Sequence, residues 1–123
     1  MVKTRVEEPT AAPAKPKVPF PALDSGVDES GLRWETVELY DKSRWTIGEI
    51  TTQDEDDAFD AAELPDDKIN ARLERRLRLV ASVREPKITL DEIGSWPGLR
   101  TRSLMYVMDR INSLPPADAE GNA

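Results

Sequence analysis

The sequence predicts a mainly α chain with a small N-terminal β-hairpin, an α+β arrangement led in by a disordered proline-rich arm. Three observations predict it. Five of the ten prolines crowd into Pro9–Pro21, where missing backbone donors and a fixed φ favour extended chain over any packed element. Two short runs rich in strand formers follow, Leu32–Tyr40 and Trp45–Ile50. From Thr52 onward, apolar residues recur at helical spacing.

Residues 1–31 form the expected arm, since Asp24-Ser25-Gly26 and Glu29-Ser30-Gly31 continue its turn-rich composition. A solvated tail is the plain expectation; if the arm docks, Val18 and Phe20 are its apolar anchors. The folded domain is expected over residues 32–116. In its first strand Val37 and Leu39 share one face, while Trp34 and Tyr40 share the other. One of those faces must point away from the helices unless both are covered. Asp41-Lys42-Ser43-Arg44 supplies the turn into the second strand.

Thr52-Gln53-Asp54-Glu55 has capping-box spacing, with Thr52 as N-cap. A short acidic helix follows to about Glu63, with Ala58, Phe59 and Ala62 inward, and Pro65 ends it. Asp66 or Asp67 caps the next helix, which runs to Val83 or Arg84. Its stripe is Ile69, Leu73, Leu77, Val80 and Arg84, with Val83 beside it. Glu85-Pro86 stops it. Thr89 and Glu92 form a second capping box over a single turn closed by Gly94. Pro97 then enters the last helix, whose stripe is Leu104, Val107, Met108, Ile111 and Leu114. Residues 117–123 are a flexible polar tail.

Composition excludes whole classes of chemistry. The 123 residues include no cysteine and no histidine, which removes the thiolate nucleophile, the usual general base and the commonest transition-metal ligands. The six glycines are scattered and build no phosphate loop. A metal could be sought between Asp56 and Asp60, one turn apart, but the acidic run from Asp54 to Asp67 lacks the glycine and terminal glutamate of a calcium loop. No enzyme, cofactor or metal is expected. A net charge of −7 opposes general binding to nucleic acid or anionic membranes. No apolar run reaches the ~20 residues of a membrane span, and the first residues lack a secretory signal's apolar stretch. A cytoplasmic setting and a protein partner are expected, with self-association left open. Arg72, Arg75, Arg76 and Arg78 suit pairing with carboxylates of the preceding helix or of a partner.

The order of local phrases carries a resemblance. Trp45-Thr46-Ile47-Gly48-Glu49-Ile50 leads into the acidic helix, followed by Leu73-Glu74-Arg75-Arg76-Leu77-Arg78-Leu79-Val80. Then come Val83-Arg84-Glu85-Pro86, Ile88-Thr89-Leu90-Asp91-Glu92-Ile93 and a closing Arg110-Ile111-Asn112-Ser113-Leu114-Pro115-Pro116. Over roughly residues 32–116 this layout resembles the tail assembly chaperones of long-tailed bacteriophages. The resemblance implies a small, mostly helical cytosolic protein that coats the tape measure protein and keeps it soluble while the tail tube assembles. The proline-rich arm is not part of that pattern. It suits the alternative, a structural virion component such as a head–tail connector or capsid-associated protein, whose arm binds a neighbouring subunit. Trp96, Met105 and Tyr106, beside the last helix's core stripe, are the candidate partner contacts together with Val18 and Phe20.

Overall fold

The computed structural model describes residues 18–114. Strands β1 (Asp24–Val27), β2 (Arg33–Glu38) and β3 (Arg44–Gly48) come first, then helix α1 (Thr52–Ala61). A two-residue ladder of β4 (Glu63–Leu64) and β5 (Lys68–Ile69) encloses a 3₁₀ turn, Pro65–Asp67. Helix α2 (Ala71–Ser82) runs directly into β6 (Val83–Glu85), and α3 (Leu90–Ser95) and α4 (Gly98–Ile111) complete the chain. The four longer strands make one antiparallel sheet in the order β1-β2-β3-β6. The fold is therefore α+β, not the expected mainly α chain with a lone hairpin.

Both added strands were hidden for local reasons. β1 lies inside the expected arm and pairs Gly26 with Trp34. A Cβ on Gly26 would sit 2.8 Å from the Trp34 ring, so the glycine that suggested a turn lets the indole cover the strand instead. Asp28 builds the reversal into β2, accepting the N–H groups of Ser30 and Leu32 on one carboxylate oxygen. Gly31 takes the positive φ, 86°, that this turn requires. From Pro19 onward the expected arm is therefore packed on the domain; residues 1–17, with most of the proline run, and residues 115–123 lie outside the described residues.

β6 stands where the second long helix was expected to continue. Val83 leaves the helix at φ −77° and ψ 116°. Pro86 then restricts Glu85 to extended backbone, and the pair Val83 and Glu85 meets Ile47 and Thr46 of β3 across an irregular register. Arg84 consequently belongs to a strand and not to the helix stripe. The buried face of α2 is also rotated from the expected one: Leu79 and Ser82 are fully buried, whereas Leu73 and Leu77 are only half-buried. Ser82 tolerates this because its hydroxyl donates to the Gly48 carbonyl at 2.6 Å.

Caps shift as well. Thr51 and Asp54, not Thr52 and Glu55, form the box on α1, and Asn70 caps α2. Asp66 and Asp67, the expected caps, take positive φ of 67° and 61° around the 3₁₀ turn. Ala58 and Ala62 are buried, but Phe59 is 49% exposed and Leu114 is exposed. The Thr89–Glu92 box forms on α3.

Val37, Leu39, Trp45 and Ile47 supply the sheet's half of the core. Val83 of β6 joins them, and Leu79, Ile88, Ile93 and the α4 residues Leu104, Val107, Met108 and Ile111 supply the other half. Polar ties fix where α4 ends. Arg33 on β2 donates to the Ile111 carbonyl at 2.9 Å, and Asn112 accepts the Ile50 N–H at 2.9 Å. The same Arg33 grips Glu49 at 3.0 Å, and that bond first, then the Arg33 backbone N–H, holds the Glu49 carboxyl below its ordinary range.

Candidate protein-binding face beside the last helix

With Leu104, Val107, Met108 and Ile111 turned to the sheet, the flank of α4 carries Leu99, Ser103, Tyr106 and Arg110 at helical spacing. Leu99 is 50% and Tyr106 44% exposed. The end of β2 lies alongside and adds Tyr40, 68% exposed. Between helix and strand end runs a groove of ≈ 130 Å³ lined by Leu39, Tyr40, Asp41, Pro97, Leu99, Arg100 and Ser103. Two of its polar side chains are bonded within the chain, while the buried Arg100 Nε has no hydrogen-bond partner among the described residues. Ser103 donates to the Leu99 carbonyl at 2.7 Å, and Arg100 donates to Asp41 at 3.0 Å.

One end of the groove is stiffened by an aromatic–cation stack. Trp45 and Trp96 meet edge to face at 5.4 Å, and the Arg100 guanidinium sits 5.7 and 5.6 Å from the two ring centres. Asp41 completes it. The Ser43 hydroxyl, the Ser43 backbone N–H and then Arg100 hold the Asp41 carboxyl down to about 2. Trp45 in turn donates its ring N–H to the Ser43 hydroxyl at 2.9 Å.

The other end is closed by the chain's own N-terminal segment. Phe20 packs edge-on against Tyr40 at 5.0 Å and against Tyr106 at 6.4 Å. Arg110 donates to the carbonyls of Pro19 and Phe20 and to the Glu35 carboxylate, each at 2.7 Å. One side chain thus ties the segment, the sheet and the helix together.

The residues singled out from the sequence do not form one surface. Tyr106 is exposed and Phe20 is brought against it, while Val18 is exposed beyond them. Trp96 and Met105 are half-buried and pack on the core. Leu99 was missed, although its position seven residues before Tyr106 places it on the same flank; Tyr40 was signalled only by strand parity.

Arg75 pairs with Asp109 of α4 and Arg78 with Glu74 of its own helix. Among the described residues no ion pair joins α1 to α2, no Asp and Glu side chains cluster as a metal site, and no helix is long and apolar enough to cross a membrane. Comparison of the chain with protein-family models, with curated proteins and with solved structures finds no match.

Proposed function

We propose that this protein is a non-enzymatic binding protein of the tail assembly chaperone kind, acting in a bacterial host cytoplasm. In this reading it holds apolar stretches of a long helical partner, the tape measure protein, against the flank of α4. The observation that carries it is the exposed apolar run of Tyr40, Leu99 and Tyr106 around a groove whose Ser103 hydroxyl and Asp41 carboxylate already have partners within the chain. An apolar run of this kind accepts the apolar side of a helix. Tyrosine and leucine on a rigid helix supply contact area at little entropic cost. Many weak contacts of this kind along one rod would add by avidity. The order of sequence phrases supports the same reading, although the four-stranded sheet departs from the mostly helical fold the resemblance implied.

The structural-virion alternative needs the N-terminal arm for a neighbour, and Phe20, its main apolar anchor, is spent on Tyr40 and Tyr106 of its own chain. The two readings separate in co-expression with a phage tape measure protein. A chaperone raises that protein's soluble yield, loses the effect in Leu99→Asp/Tyr106→Asp, and is missing from finished particles. Unchanged yield, with the protein retained in particles, would establish the alternative.

A further inference from the structure

A second groove, which shares no lining residue with the groove beside α4, is walled by α2 and α3 and has a volume of ≈ 360 Å³. Leu73, Leu90 and Gly94 supply its apolar lining, and Arg72 and Arg76, one helical turn apart, line it together with Asn70 and Asp91. Neither arginine forms an ion pair among the described residues, unlike Arg75 and Arg78 on the same helix. A Cβ on Gly94 would meet nothing within 4 Å, so the floor there is open.

The chain also carries the complement of this groove. Phe59 projects from α1 with 49% of its surface exposed. Glu55 and Asp56 lie one turn before it on α1, Asp60 adjoins it and Glu63 follows in β4, while Ala62, three residues on, is buried. None of these carboxylates pairs with a cation among the described residues. An apolar ring flanked by carboxylates matches an apolar lining flanked by arginines. Phe59 does not line the groove of its own chain.

We infer that the Arg72/Arg76 groove is a self-association socket that receives Phe59 and its flanking carboxylates from a second copy of this chain. Burial of the ring on Leu73, Leu90 and Gly94 drives the contact, and the charges fix its direction and register. Because plug and socket are different surfaces, the contact is heterologous and propagates or closes into a ring. It does not depend on what the α4 flank binds.

Sedimentation velocity of the full chain over a concentration series tests this. The wild type is expected to associate reversibly, more tightly at low than at high ionic strength. Phe59→Ser removes the plug and Gly94→Leu fills the socket; each is expected to weaken association by about tenfold or more. Gly94→Leu should do so without lowering the melting temperature, since the site is open and helical. Mixing the two variants restores one good contact and should produce a one-to-one complex that grows no further. Asp91→Asn, which removes the like charge on the rim, should tighten wild-type association. A wild type that stays monomeric at low salt overturns the inference. So do oligomers that persist in either variant, or a mixture that remains monomeric.

Discussion

Replacing Arg110 by methionine should uncouple the N-terminal segment from the rest of the fold. The guanidinium donates at 2.7 Å to three acceptors, the Pro19 and Phe20 carbonyls and the Glu35 carboxylate. A hydrogen bond to a charged group contributes roughly 1.5–3 kcal/mol when shielded. Here both the Arg110 and Glu35 side chains keep 23% exposure, which argues for the low end or below. Methionine retains much of the stem's packing, so the loss is about 3 kcal/mol in the full chain, with about 2 kcal/mol of it belonging to the two carbonyls. In a chain lacking residues 1–22 only the Glu35 share remains, about 1 kcal/mol. The assay is urea denaturation followed by tryptophan fluorescence on the four proteins of the double-mutant cycle, which isolates a coupling of about 2 kcal/mol. Equal costs of Arg110→Met in the full and shortened chains would refute the reasoning, and the segment would then be a passive tail.

Gly48→Ala should cost about 1–3 kcal/mol, because its Cβ would lie 2.4 Å from the Arg84 guanidinium and displace it from Asp28 and the Glu49 carbonyl. In an Arg84→Ala background the same change should be nearly neutral by denaturation. Leu79→Ala and Leu104→Ala, both fully buried, should each cost about 2–5 kcal/mol, whereas half-buried Leu77→Ala should cost about 1 kcal/mol. Asp41 titrates at about 2 in the fold against 3.8 for a free carboxyl. Its folded pKa is depressed, so its stabilisation is complete above pH 3.8 and is lost as pH falls toward 2. Asp41→Asn should therefore flatten the stability–pH curve in that window, as read by denaturation at stepped pH.

Long, strongly periodic elements were legible in the sequence. The α4 stripe of Leu104, Val107, Met108 and Ile111 and the Thr89–Glu92 box stand as expected, as does the hairpin with Val37 and Leu39 inward. What escaped had no periodic signature. β1 is four residues in a glycine- and aspartate-rich stretch, and its partner Trp34 lies across a turn. β6 follows a helix without a connecting residue, so Val83 and Arg84 extended the helical pattern until Pro86. The true buried face of α2 includes Ser82, which a hydrophobic pattern cannot select because its burial depends on the Gly48 carbonyl. The candidate site suffered similarly. Trp96 looked free because its partner Trp45 is distant in sequence, and Met105 because its packing on the core lies off the helix's own stripe. Phe20 and Tyr106 were both chosen for a partner, and the structure places them against each other.

On the proposed function, the flank of α4 is the surface that binds a partner. Amide hydrogen exchange on the complex with the co-expressed helical protein, against the free protein, tests it most directly. New protection is expected over residues 39–41 and 97–106, with α1 and α2 unchanged under conditions where the chain is monomeric. Protection confined to α1, α2 or the sheet, with 97–106 exchanging as in the free protein, would contradict it.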